Sequence, residues 1–162
     1  MLGRKTWEIF AAHWPYTEEE PASLFNSITK YVATSSAEPL AWQNSVKLEG
    51  EVLEAVGRLK AGDGPDLLTQ GSSVLVQTLL AAGLVDELSL MTFPVLLGRG
   101  KRWYGEDAKA GEWEQLSSRS STTGVTMSRY RPKGPISTGS FAHGDPSPVE
   151  QARRRQIEAG TW

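Results

Sequence analysis

The segment Gly3-Arg4-Lys5-Thr6-Trp7-Glu8 (residues 3–8) is the starting point for predicting the architecture of this chain. A glycine, two cations and a hydroxyl stand directly before an apolar-periodic stretch, which predicts the start of a helix. Glycine lets the backbone pass close to a ligand. The first amides of a helix have no intrahelical partner and the helix dipole favours an anion there, to which the two cations add full charge. The segment therefore predicts a phosphate site, with an ordinary helix cap and two solvated cations as the alternative.

A second candidate phosphate site follows the brief strand predicted at residues 66–69. Gln70-Gly71-Ser72-Ser73 is predicted to form a turn, and Ser72 or Ser73 to cap the next helix. Gly71 would allow close approach of the backbone, while the serine amides would donate to a phosphate oxygen at a strand-to-helix junction. A plain capped helix is the alternative here.

A third group of polar residues, Thr34-Ser35-Ser36, ends the strand predicted at residues 30–34. Its hydroxyls could contact a ribose or a 2′-phosphate, although serine clusters after strands are usually turns. One charge at a helix start contributes only about 0.3–1 kcal/mol, so useful affinity needs all three sites together. We therefore expect a dinucleotide across one sheet edge, with the forked Arg4 guanidinium on the 2′-phosphate.

The amino-acid composition limits the kinds of partner that the protein is expected to have. The 162 residues are 39% hydrophobic and 22% charged, as in a globular protein, and the net charge of −2 argues against a nucleic-acid partner. No apolar run is long enough to span a bilayer and no signal-peptide pattern opens the chain, so we expect no membrane partner and a cytoplasmic location.

The residues that usually carry metal and nucleophilic chemistry are scarce. The chain has no cysteine, and its two histidines, His13 and His143, have no partner at ligand spacing. We therefore predict no metal site, and expect the chemistry to come from a bound cofactor.

The order of predicted elements sets the fold class. Helices and strands alternate up to the longest predicted strand, residues 87–97, whose apolar run is typical of a strand inside a sheet. Two later strands, at 112–121 and 124–131, suit an antiparallel hairpin. The pattern predicts an α/β domain over residues 1–132, with a mostly parallel sheet and an antiparallel C-terminal hairpin. A tail rich in Gly, Pro and Ser, with one surface helix, follows at 133–162.

These motifs resemble those of the reductase domain at the C-terminus of the bifunctional riboflavin-biosynthesis deaminase/reductase. Residues 3–8 match the cofactor-phosphate motif, 34–36 the strand end on the adenosine side, and 70–73 the pyrophosphate turn. The most specific stretch is 84–101, and the resemblance covers residues 2 to about 131.

The resemblance implies a dihydrofolate-reductase-like fold of three layers, α/β/α, and a homodimer. It also implies NADPH as cofactor and hydride transfer to a small heterocyclic or pyrimidine-type substrate. The enzyme would be similar to 5-amino-6-(5-phosphoribosylamino)uracil reductase, or to dihydrofolate reductase. The predicted cofactor-binding residues are Gly3, Arg4, Lys5, Thr6, Thr34, Ser35, Ser36, Gln70, Gly71, Ser72 and Ser73.

The chain departs from the family at its beginning. Members of the family carry a strand and a helix before the opening motif, whereas two residues precede Gly3 here. That segment lines the family's substrate pocket, so no catalytic residue is assigned. Its absence would leave strand edges open and favour pairing with another chain. The alternatives to a reductase are therefore an NADP-binding protein without turnover and a dimeric interaction module.

Overall fold

The computed structural model describes residues 1–105, 108–137, 139 and 144–161, which leaves His143 and parts of the predicted tail outside the description. In chain order the elements are β1 (Leu2–Gly3), α1 (Arg4–Ala11), a 3-10 turn (Trp14–Tyr16), α2 (Ala22–Ser27), β2 (Lys30–Ala33), β3 (Ser45–Lys47), α3 (Val52–Ala61), α4 (Ser73–Ala81), β4 (Leu88–Thr92), β5 (Glu112–Ser120), β6 (Thr126–Gly134) and α5 (Pro148–Glu158). Within the described residues, no helix has the length and apolar character needed to cross a bilayer.

The strands form one parallel and one antiparallel sheet. The parallel sheet has the order β1-β2-β3, with Gly3 opposite Ala33. The antiparallel sheet has the order β4-β6-β5, and its hairpin turns at Gly124, where φ is +82°. The predicted α/β class, parallel sheet and antiparallel C-terminal hairpin are confirmed.

Helices cover both faces of the parallel sheet. Val32 on β2 belongs to an apolar cluster with Leu2, Trp7 and Trp42. The flanking β2 residues, Tyr31 and Ala33, pack instead against a second cluster, formed by Leu48, Ala55, Val56, Leu75 and Leu79. Because successive strand residues point to opposite faces, α1 lies on one face and α3 and α4 on the other. This is the predicted three-layer arrangement.

The strand predicted at residues 66–69 is not formed as a strand. The segment runs alongside β1, and the Met1 amino group donates a hydrogen bond to the Leu68 carbonyl. The helix that follows begins at Ser73 as expected and ends before Gly83, which has a left-handed conformation with φ +67°.

The prediction that residues 87–97 form a strand inside a sheet is wrong. The strand β4 is five residues long and, among the described residues, pairs only with β6. The apolar side chains of Met91, Phe93, Val95, Leu96 and Leu97 are 58–103% exposed. An apolar run predicts burial on both faces, but it does not reveal whether a neighbouring strand is present.

A buried lysine connects α2 to the parallel sheet. Lys30 is 4% exposed, and its Nζ donates to the carbonyl oxygens of Phe25 and Ile28 at 2.8 Å and of Asn26 at 3.3 Å. The ammonium also lies 4.4 Å from the centre of the Trp42 ring. Burial lowers the pKa of Lys30 to about 8, and the carbonyls at the end of α2 are suitable acceptors for a cation. Lys30 thereby sets where β2 begins.

We predict that Lys30→Met lowers the free energy of unfolding by about 1–3 kcal/mol, because it leaves buried carbonyl oxygens without a donor. Urea unfolding followed by circular dichroism measures the effect. The exposed Lys101→Met is the control and should unfold at the wild-type midpoint. An unchanged midpoint for Lys30→Met would contradict the role assigned to this side chain.

Candidate functional site

Two helix starts meet at one edge of the parallel sheet. The Gly3 amide, at the start of α1, donates a hydrogen bond of 2.9 Å to the Ser72 hydroxyl, at the start of α4. A Cβ placed on Gly71 would lie 3.6 Å from Cγ2 of Thr6. The first and second predicted phosphate sites are therefore adjacent.

The turn before α4 is left-handed at two consecutive residues. Gly71 has φ +65°, and Ser72 has φ 57° and ψ 53°. Non-glycine residues seldom adopt this conformation. Here it accompanies the hydrogen bond between Ser72 and Gly3.

The first amides of both helices remain available to a ligand. Ser72 is the residue before α4, as predicted, but its hydroxyl accepts from Gly3 and does not cap its own helix. Within the described residues, neither α1 nor α4 receives a side-chain cap at its start. Two sets of amide donors, with the positive ends of two helix dipoles, therefore lie side by side.

The third predicted group lies on the same edge. Because Gly3 is opposite Ala33, Thr34 follows β2 at the level where α1 begins. The Thr34 hydroxyl accepts from the Ser36 amide at 3.1 Å, and the Ser36 hydroxyl accepts from the Glu38 amide at 3.1 Å. Two of the three hydroxyls thus hold the loop in shape, which is a common role for such residues after a strand.

Arg4 is held by two carboxylates. Its Nε donates to Glu8 Oε1 at 2.7 Å, Nη2 donates to Glu38 Oε2 at 3.2 Å, and Nη1 donates to the Glu38 carbonyl at 3.2 Å. The guanidinium also lies 5.1 Å from the centre of the Trp7 ring, and the side chain is 19% exposed. Arg4 therefore bridges the start of α1 and the end of the Thr34–Ser36 loop.

The remaining predicted residues are less constrained. The side chains of Lys5, Ser35 and Gln70 are exposed at this edge, and Ser73 is half-buried. Trp7 is a core residue whose Nε1 donates to Ser45 Oγ at 2.8 Å.

Comparisons with known proteins agree with this architecture. Residues 1–127 match the RibD C-terminal domain family. The chain belongs to this family. The uncharacterized protein YyaP of Bacillus subtilis (strain 168) is 29% identical to this chain over 139 residues, and the alignment covers 83% of this chain and 73% of YyaP.

A solved structure shows the shared fold. A protein from Shewanella sp. PV-4, provisionally assigned to riboflavin biosynthesis, matches with a TM-score of 0.62 at 24% identity. The match covers 82% of this chain and 72% of that protein. The resemblance read from the motifs is thereby confirmed, and the RibD C-terminal domain is reductase-like in family and fold.

A separate cavity of about 520 Å³ lies at the far end of α4. It is lined by Leu80, Val85, Tyr104, Trp113 and Pro132, among others, and shares no residue with the predicted cofactor site. Across residues 1–105, 108–137, 139 and 144–161, no three His, Asp or Glu side chains are grouped to bind a metal ion.

Sequence reasoning missed the two acidic partners of Arg4. The spacing of Arg4 and Glu8, four residues apart on a helix, is a signal that would have found the first. Glu38 is 34 residues away and carries no comparable local signal.

We predict that Ser72→Ala lowers the free energy of unfolding by about 0.5–1.5 kcal/mol, since it removes the acceptor of the Gly3 amide. The adjacent Ser73→Ala is the control and should cost less. Thermal unfolding monitored by calorimetry compares the two. Equal stabilities would show that the bond between the two helix starts contributes little.

Proposed function

We propose that this protein is an NADPH-dependent reductase that transfers a hydride to a small heterocyclic or pyrimidine-type substrate. The observation that carries the proposal is the pair of uncapped helix starts joined through Gly3 and Ser72, on the edge that also holds Thr34–Ser36. Membership of a reductase-like family supports the same reading.

The residues present suit a dinucleotide. The amides at the starts of α1 and α4 would bind the diphosphate, and Arg4 with the Thr34–Ser36 loop would face the adenosine ribose. When bound, the nicotinamide supplies the hydride, so the chain needs no nucleophile of its own. The task of the protein is to bind the cofactor, to orient it and to keep water away from the transfer.

The substrate class follows from the family resemblance, which favours a reaction similar to that of 5-amino-6-(5-phosphoribosylamino)uracil reductase or of dihydrofolate reductase. We assign no catalytic residue, and we propose a cytoplasmic location. A protein that holds NADP without turnover is the competing proposal.

Two measurements separate these proposals. Calorimetric titration measures the binding of NADPH, and spectrophotometry then measures NADPH oxidation in the presence of 5-amino-6-(5-phosphoribosylamino)uracil or dihydrofolate. Binding with oxidation supports the reductase. Binding without oxidation by any of these substrates supports the non-catalytic alternative, and the absence of binding would overturn both.

Substitution of Gly71 tests the dinucleotide site directly. We predict that Gly71→Val weakens NADPH binding at least tenfold, which corresponds to about 1.4 kcal/mol, because a side chain would enter the space between the two helix starts. Gly83→Val is a matched control, since Gly83 has φ +67°, close to the +65° of Gly71, and open space around it. Both variants carry backbone strain, but titration should show weaker binding only for Gly71→Val. Equal affinities would exclude this edge as the site.

We further propose that the chain forms a homodimer through the open edge of β4. A strand edge can pair with its own copy across a twofold axis. The apolar side chains of Met91, Phe93, Val95, Leu96 and Leu97 are 58–103% exposed beside this edge. Contiguous exposed apolar side chains mark interaction sites.

We predict that Leu96→Asp converts this dimer to a monomer, because it places a charge in the apolar contact. Light scattering during size-exclusion chromatography gives the mass. Val149→Asp is the control, since Val149 is an equally apolar residue that is 80% exposed on α5 and outside residues 88–97. A wild-type protein that is monomeric at every concentration would contradict the dimer.

A further inference from the structure

The guanidinium expected to recognise a 2′-phosphate is already engaged by acidic groups. Arg4 has five N–H donors, and its three nitrogens each donate to an oxygen of Glu8 or Glu38. A 2′-phosphate that approached Arg4 would therefore meet two carboxylates of its own sign.

The two carboxylates play different parts. Glu8 lies one turn along α1 from Arg4 and contacts only Nε, so it holds the guanidinium against its own helix. Glu38 contacts the two terminal nitrogens, Nη2 through its carboxylate and Nη1 through its main-chain carbonyl. These two nitrogens form the forked end that binds phosphate oxygens in pairs. Glu38 therefore occupies the phosphate-binding end of Arg4.

Glu38 is also placed at the ribose side of the predicted site. Its amide donates to the Ser36 hydroxyl at the end of the loop that follows β2. The Glu38 side chain is 79% exposed, so its carboxylate is accessible to a ligand at this edge. A carboxylate in such a position accepts a hydrogen bond from a ribose 2′-hydroxyl, whereas it repels a 2′-phosphate.

We propose that Glu38 sets the dinucleotide selectivity of this protein by competing with the 2′-phosphate for Arg4. The inference rests on the proposed function and deepens it. With Glu38 in place, the site accepts NADH nearly as well as NADPH. Without its charge, Arg4 keeps its contacts with Glu8 and with the main-chain carbonyl of residue 38 but faces one carboxylate fewer, and the site favours NADPH.

The test compares two adenosine probes that carry no nicotinamide: adenosine 2′,5′-bisphosphate and adenosine 5′-monophosphate. Dissociation constants are measured by calorimetric titration for the wild type and for Glu38→Gln. We expect Glu38→Gln to bind the bisphosphate about fivefold more tightly than the wild type does, which is the size of effect expected when one exposed ion pair no longer competes. Its dissociation constant for the monophosphate should lie within twofold of the wild-type value. NADPH and NADH should show the same pattern.

Three further variants complete the test. Glu54→Gln removes the same charge from another exposed pair, Glu54–Arg58, and should leave both probes at wild-type affinity. The double variant Arg4→Ala/Glu38→Gln is compared with Arg4→Ala, and the gain for the bisphosphate should be absent from this comparison, because the gain acts through Arg4.

The outcomes separate the two proposals. If NADPH and NADH bind to the wild type but Glu38→Gln leaves their ratio unchanged, the selectivity role of Glu38 is wrong and the proposed function stands. A gain that persists in the double variant would also overturn it. If neither dinucleotide binds to the wild type, both the proposed function and this inference fail.

Discussion

The hydrogen bond from the Gly3 amide to the Ser72 hydroxyl brings the candidate site together. It joins two helices whose starts are 69 residues apart in the chain, and it accompanies the left-handed turn at Gly71 and Ser72. Because the hydroxyl serves Gly3, it does not cap α4. The same bond therefore places two helix starts side by side and leaves their first amides uncapped, which is the basis for proposing an anion site at this edge.

Charge at this edge is balanced, so the proposed site would have to bind an anion largely through backbone amides. Arg4 is neutralised by Glu8 and Glu38, while Lys5 remains exposed to solvent. Attraction by exposed side chains is screened by salt. Fixed amides at a helix start need no reorganisation when a phosphate arrives, so they would bind a phosphate even where the neighbouring cation is occupied.

The antiparallel sheet raises a different constraint. Its edge strand β4 and the apolar residues that follow it are exposed, although their sequence is typical of a buried strand. Natural edge strands usually carry charges or bulges that prevent pairing, and this one presents Met91 and Thr92 instead. The conflict between an apolar sequence and an exposed position is the physical basis for expecting a partner strand at this edge.

Local sequence signals were sufficient for a helix start after Gly3, for the helix start at Ser73 and for the final hairpin, because backbone preferences are set within a few residues. The motifs also identified the family and grouped the three predicted segments at one edge. Local signals did not predict the exposed edge of β4, the hydrogen bond from Gly3 to Ser72 or the ion pair between Arg4 and Glu38. The two contacts join residues far apart in the chain, and the exposed edge lacks such a contact. Contacts of this kind depend on which surfaces the fold brings together and not on the preference of any short segment.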